Sequence, residues 1–232
     1  MNNIARDDGW PIARNDIGLE EFESFRAAVN DKQTYLPIKR AIDILLSATI
    51  LIWLSPLMIV VAIIVCAGSP GPALYRAPRR GRNGKPFMML KFRSMFVAQK
   101  ADDLAFKLRV SHAGVLAKSS ADPRVTPAGH WMRRLSIDEL PQLINVLRGD
   151  MSLVGPRPIL PEMLDHFPMF DRTRNLVRPG LGGLWQVRDR GNATHVGFMW
   201  DHDLEYLDRM SFRLDMEILL RTAASILLRT GT

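Results

Sequence analysis

Between Ile44 and Ala67 the chain runs ILLSATILIWLSPLMIVVAIIVCA, 24 residues without a charge. As straight helix at about 1.5 Å per residue this stretch reaches about 36 Å, enough to cross a hydrocarbon core of about 30 Å. It follows about forty mostly polar residues, which is too deep in the chain for a secretory signal. A buried helix of a soluble protein is the plain alternative, and the length argues against it. Two features also argue against a simple crossing. Ser55-Pro56 stands at the midpoint, where proline removes a backbone donor and clashes with the carbonyl four residues back. Lys39 and Arg40 precede the stretch, and Arg76, Arg79, Arg80, Arg82 and Lys85 follow it. Basic flanks favour the cytoplasmic side, so both ends are drawn to the same face. A re-entrant helix that enters, breaks at Ser55-Pro56 and returns satisfies both preferences, with Ser55 or a packed neighbour meeting the freed carbonyls. A kinked span is the second reading.

The remainder is long enough for one compact domain: the whole chain has 232 residues, of which 47% are hydrophobic. Residues 1–35 are expected to form a polar extension and 36–70 the membrane helix, leaving 71–232 as the main domain, closed by an amphipathic helix. Within the extension, Leu19, Phe22, Phe25 and Val29 share one face of a short helix. ALYRA and FMMLKF are expected to pair as strands around Asn83-Gly84, a strong hairpin signal. Residues 97–118 are expected to form a helix of mixed polarity, and ADPRVTPAGHWMRRL a loop entering a basic helical turn. Phe212, Met216, Leu219, Leu220, Ala223, Ile226 and Leu227 make one stripe at helical spacing. That stripe fits a helix packed on the core or one lying in the membrane interface. Arg213, Glu217 and Arg221 stand four apart and can pair.

The net charge of +7 favours anionic partners: phosphates, nucleic acid or acidic lipid. Nucleic acid is the weakest of these, because the arginines cluster around acids and lack interleaved aromatics. Cys66 stands alone, so neither an intramolecular disulfide nor a cysteine zinc cluster can form. No glycine-rich phosphate loop, HExxH helix or GxSxG elbow is present.

One local arrangement stands out. SIDELPQLINVL places Asp138 beside Glu139 just ahead of Pro141 and an apolar run. Ser136 and Glu139 have capping-box spacing, but proline prefers the first helical position. The helix therefore either starts at Ser136 or begins at Pro141 with both acids in the turn before it. It ends near Arg148, with Gly149 as terminator. Arg124, Arg133 and Arg134 precede the acids, and Arg148 and Arg157 follow them. Arginines beside acids are ordinary surface pairing in most proteins. A membrane-held basic site with two acids also suits phosphoryl chemistry on a lipid phosphate.

SIDELPQLINVLRGDMSLVGPRP, with GKPFMMLKFRSM, DPRVTPAGHWMRRL, RPGLGGLWQV and the spaced Asp203, Tyr206, Ser211, Asp215 and Thr222, closely resembles the bacterial sugar transferases. These are the monotopic phosphoglycosyl transferases that start glycan assembly, and the resemblance covers three quarters of the chain. It implies an α-rich α/β catalytic domain with a small β-hairpin, monotopic on the cytoplasmic face of the bacterial inner membrane. It also implies that Asp138 attacks the β-phosphate of a UDP-sugar, giving an aspartyl phosphosugar that passes to polyprenyl (undecaprenyl) phosphate. Asp138 and Glu139 would be catalytic and would hold Mg²⁺, with Glu139 binding metal or taking a proton. Lys91, Arg93, Arg133 and Arg157 would bind substrate phosphates, each having a plain reading as a surface ion pair. Gly182 stands where the family often has threonine, and Asp189 and Gly191 depart from its common glycine and asparagine. These changes bear on the sugar, for which the short exopolysaccharide-initiating relatives suggest galactose or glucose. A non-catalytic membrane scaffold of a polysaccharide assembly complex is the rival reading, and a homo-oligomer is left open.

Overall fold

A computed structural model describes residues 16–97, 124–165, 167–188 and 196–227. The expected helix at 97–118, but for Val97 at its start, and the departures at Asp189 and Gly191 lie outside them. The chain forms helix α1 (Leu19–Asn30), the long helix α2 (Tyr35–Gly68), and strands β1 (Leu74–Arg80) and β2 (Pro86–Phe92). Helices α3 (Pro127–Arg134) and α4 (Gln142–Arg148) and strand β3 (Ser152–Val154) follow. Next come α5 (Pro168–Arg174), β4 (Gly180–Gly182), α6 (Leu184–Arg188), α7 (Val196–Arg209) and α8 (Phe212–Leu227). The result is a helix-rich α/β domain with two small sheets.

Helix α2 is long and apolar enough to cross a membrane, with a mean hydropathy of 2.8 in its central window and only 11% of that window buried. Ile52, Trp53, Ile59 and Ile63 are 62–79% exposed, which in water would be an uncompensated apolar surface. The helix continues through Pro56 instead of breaking into two. The physical reason lies next door. Proline has no N–H for the Ile52 carbonyl, and the Ser55 hydroxyl donates to that oxygen at 2.8 Å.

Polar contacts tie the first turns of α2 to the domain. Lys39 Nζ and Tyr35 Oη both donate to Asp215 Oδ2 at 2.5 Å, and Tyr206 Oη donates to Asp215 Oδ1 at 2.9 Å. Arg40 caps the end of α4 through the Val146 and Leu147 carbonyls. Asp43 accepts from Ser152 Oγ and Leu153 N. The far end is held differently: Val61 and Val65 pack with Phe92 and Met132, and the Arg93 guanidinium donates to the carbonyls of Val65, Ser69, Pro70 and Gly71.

Strands β1 and β2 pair antiparallel with Arg80 opposite Pro86, and Asn83 and Gly84 take positive φ in the short helical turn between them. The expected hairpin forms with a five-residue connection, Gly81 to Lys85, in place of a two-residue turn. Strands β3 and β4 pair in parallel and were not expected from sequence. They bring MSLVGPRP against RPGLGG so closely that a Cβ on Gly180 would lie 2.1 Å from the Gly155 nitrogen. Only glycine permits that approach.

In α1, Phe22 and Val29 are buried and Phe25 half-buried, but Leu19 faces solvent at 66% exposure. The apolar stripe expected along α8 is also turned outward: Phe212, Leu220 and Ala223 are exposed, and Leu214, Asp215 and Ile218 face inward. The cause is Asp215, whose bonds to Tyr35, Lys39 and Tyr206 rotate the helix about its own axis. The expected i,i+4 pair forms between Arg221 and Glu217 at 2.9 Å. The core proper centres on Phe170 stacked on Trp200, with ring centroids 3.8 Å apart, and Phe167 edge-on to the same indole.

Replacing Asp215 with alanine strands the buried Lys39 ammonium without its counter-charge, a loss of about 3–5 kcal/mol. Chemical denaturation in neutral detergent should place Asp215→Ala well below wild type. Asp215→Asn, which keeps one acceptor oxygen but no charge, should fall between them.

Candidate active site

Asp138 and Glu139 lie in a single helical turn, Ile137–Glu139, between α3 and α4. Of the two starts considered from sequence, the structure adopts the later one. The Ser136 side chain makes no cap, and α4 begins at Gln142, directly after Pro141. It ends at Gly149 in the left-handed region, φ 89°, as expected. Ser136 itself has φ 55°, a conformation that costs a residue with a side chain and turns the chain sharply before the acids.

Each neighbouring element delivers one cation. Lys91, on β2, donates from Nζ to Glu139 Oε1 at 2.8 Å. Arg157, in the loop after β3, grips Glu139 with Nη2 at 2.5 Å from Oε1 and Nη1 at 3.3 Å from Oε2. Arg133, at the end of α3, donates Nε–H to Ser94 Oγ at 3.0 Å, and its charge reaches Asp138. Thr126 fixes the start of α3 by accepting from Gly129 N at 2.9 Å.

The two acids are thereby placed in different states. Burial works to raise Glu139, but Arg157 and Lys91 outweigh it and hold the carboxyl well below its usual range. Asp138 is 8% exposed, and among the described residues no donor hydrogen-bonds to its carboxylate. Burial pushes its pKa up, Lys91 pulls it down, and the adjacent Glu139 charge pushes it up again. Glu139 is therefore pinned by two cations, and Asp138 feels the charges of Lys91, Arg133 and Arg157 without a hydrogen bond from any described residue.

Of the four basic residues expected to bind substrate, Lys91, Arg133 and Arg157 gather at the dyad. Arg93 does not: its guanidinium is taken up by the carbonyls that end α2. Sequence reading missed Arg174 and Asp203 as supports of the site. The two form a buried ion pair at 2.7 Å, and Arg174 Nη2 donates to the Arg157 carbonyl at 2.6 Å, which fixes the backbone of the residue gripping Glu139. Only the spacing of Asp203 in the family resemblance hinted at it. Among the described residues no group of three metal-ligand side chains occurs. Asp138 and Glu139 Oε2 remain as donors, which fits Mg²⁺ only in the manner usual for that ion, with substrate phosphates and water completing its shell.

An apolar helix is thus rooted beside an acid pair caged by cations, an arrangement that suits transfer chemistry on a phosphate. The chain belongs to the bacterial sugar transferase family, whose profile matches residues 34–229. It is 41% identical over 82% of its length to the UDP-glucose:undecaprenyl-phosphate glucose-1-phosphate transferase of Caulobacter vibrioides, covering 69% of that protein. Identity is 36% to the exopolysaccharide production protein ExoY of Sinorhizobium fredii, over 84% of this chain and 87% of that one. It is 40% to the undecaprenyl-phosphate galactose phosphotransferase of Salmonella typhimurium, over 84% of this chain but only 41% of the relative. The chain thus spans most of some relatives and less than half of others.

If the reactive form is the Asp138 carboxylate, the first chemical step fails as pH falls through its raised pKa. Nucleotide release without lipid acceptor should show an acid limb above the ordinary aspartate range of about 4. Lys91→Met removes a charge that lowers this pKa, so the limb should move to higher pH. A limb that stays put excludes Asp138 as the titrating group.

Proposed function

We propose that the chain is a phosphoglycosyl transferase that moves a sugar 1-phosphate from a UDP-sugar to undecaprenyl or a related polyprenyl phosphate, initiating exopolysaccharide or similar glycan assembly. The observation that carries this reading is the asymmetry of the dyad: Glu139 Oε1 is held by Lys91 and Arg157, its Oε2 has only the longer 3.3 Å contact to Arg157, and among the described residues no donor hydrogen-bonds to the Asp138 carboxylate.

In this reading the Asp138 carboxylate attacks the β-phosphorus of the donor. The bond from that phosphorus to the bridging oxygen breaks, UMP leaves with the electron pair, and an aspartyl phosphosugar remains. An oxygen of the lipid phosphate then attacks the same phosphorus, expelling Asp138 as carboxylate and giving a polyprenyl diphosphate sugar. Arg157, Lys91 and Arg133 supply fixed positive charge around the transferring group. Mg²⁺, held by Asp138 and Glu139 together with donor oxygens, would neutralise charge on the diphosphate. The names of the relatives include glucose, galactose and N-acetylgalactosamine, and a UDP-hexose, galactose or glucose, is the assignment made here.

We also propose a monotopic placement on the cytoplasmic face of the inner membrane; because α2 stays one helix through Pro56, re-entry would come from a bend there and not from a break. Buried contacts tie both ends of α2 to one polar domain, through Lys39, Arg40 and Asp43 at the start and Val61, Val65 and the Arg93-bound carbonyls at the end. A straight crossing would put those ends on opposite faces, with a polar domain threading the hydrocarbon. The outward apolar stripe of α8 suits contact with the same membrane surface.

Asp138→Asn should lose UMP release from radiolabelled donor by at least about 1000-fold, because a carboxamide cannot serve as the nucleophile. In a Cys66→Ser background, cysteines at Gln33 and Lys85 should both react with impermeant reagent only in inverted vesicles. Labelling from opposite faces excludes the re-entrant placement.

A further inference from the structure

A second basic feature lies away from the dyad, at the other end of α4. A cleft of about 380 Å³ opens between the β1–β2 connection and the end of that helix, lined by Gly81, Arg82, Lys85, Gly149, Asp150 and Arg178 among others. The seven residues of α4 separate it from the acid pair by about 10 Å of helix axis. Arg82 and Lys85 are exposed, and Arg178 is half-buried with only its Nε–H committed, to the Gly149 carbonyl at 2.9 Å. Burial, then the neighbouring Arg40 and Arg82, push the Arg178 guanidinium below its ordinary value against the opposing pull of Asp43. These cations therefore crowd one another.

Their nearby carboxylates offer little relief. Asp43 is bound by Ser152 and Leu153 N, and Asp150, in the cleft wall, accepts from Asn145 Nδ2 at 3.1 Å. The carbonyls at the end of α4, which would repel an anion, are covered: Arg40 takes Val146 and Leu147, and Arg178 takes Gly149. The place of the cleft matters as much as its charge. Arg40 precedes Ile44, the start of the uncharged stretch, by one helical turn, and its Nη2 lies 3.4 Å from where a Gly149 Cβ would stand. Ile44 and Leu45 are already exposed apolar residues. The cleft therefore opens about where the domain meets the membrane surface, the depth at which lipid phosphates lie.

We propose that this cleft is a second phosphate-binding site, distinct from the Asp138–Glu139 dyad, built by Arg82, Lys85 and Arg178 to hold the phosphate of an anionic lipid headgroup. Free inorganic phosphate carries the same chemistry from another source. Occupancy would fix the depth and rotation of the domain on the surface and relieve the crowding of the arginines.

The full chain in neutral detergent can be titrated calorimetrically with short-chain phosphatidylglycerol, short-chain phosphatidylcholine and inorganic phosphate. Phosphatidylglycerol should bind and phosphatidylcholine should not. Arg82→Gln/Lys85→Gln, which alters only exposed side chains, should weaken phosphatidylglycerol at least about tenfold. Asp150→Asn, which removes the repelling charge in the cleft wall, should strengthen it several-fold. Arg26→Gln/Lys32→Gln, an equal charge loss on α1 and the turn after it, should change nothing. The proposal is overturned if the cleft double variant binds as wild type does, or if the α1 control loses as much. Inorganic phosphate binding as tightly as the lipid, with the same variant response, overturns the headgroup assignment and leaves a soluble-phosphate site.

Discussion

Everything in this molecule depends on how a helix with an apolar surface is held by a domain with a polar one. Burial of α2 against the domain cannot supply the hold, because most of its side chains point away from it. The hold comes from its ends. Lys39, Asp43 and Ser47 stand four apart on one buried face, and the first two enter a network with Asp215, Tyr206, Ser152 and the β3 backbone. Such buried charges are tolerated only because each is paired, and the pairing specifies a single rotation and register of the helix. At the other end one arginine, Arg93, takes the Val65 carbonyl in the last turn of the helix and those of Ser69, Pro70 and Gly71 in the segment that follows it.

The same anchors build the active site. Lys91 and Arg93 are two apart at the end of β2, so a segment that ties down the membrane helix also presents a lysine to the dyad. Arg157 reaches Glu139 from a loop whose backbone is pressed against β4 at Gly155 and Gly180 and held by the Arg174–Asp203 pair. Glu139 is thereby linked, through Lys91 and Arg157, to the elements that also hold α2. The proposed chemistry on a lipid phosphate would use this coupling, since α2 would set the plane in which the acceptor arrives. The charge pattern follows the same logic. Glu139 takes the cations, and among the described residues no donor hydrogen-bonds to the Asp138 carboxylate, so two acids that would repel in water are placed in different surroundings.

Much of this was legible before any coordinates. The uncharged stretch, the serine that meets the carbonyl freed by Pro56, the hairpin around Asn83-Gly84 and the helix closing at Gly149 rest on local rules: hydropathy, proline's missing donor, turn chemistry. The expected break at Ser55-Pro56 does not form, because α2 continues through the proline. On α8 periodicity left core and membrane interface open; Asp215, bound by Tyr35, Lys39 and Tyr206, faces inward, and Phe212, Leu220 and Ala223 are exposed. Leu19, placed with Phe22 by spacing, is exposed as well.

By itself the sequence singled out Asp138 and Glu139, adjacent acids in a family-specific block, and one helix long and apolar enough to cross a membrane, since composition and motif are properties of neighbours along the chain. Only the tertiary structure decided what each charge does. Arg93 serves the membrane helix and Arg157 the dyad, although both are single arginines in short basic motifs. Arg174 and Asp203, 29 residues apart, meet to position Arg157. The reason is that a long charged side chain has no function until burial removes water as its default partner. Which carboxylate or carbonyl replaces that water is set by contacts between distant segments.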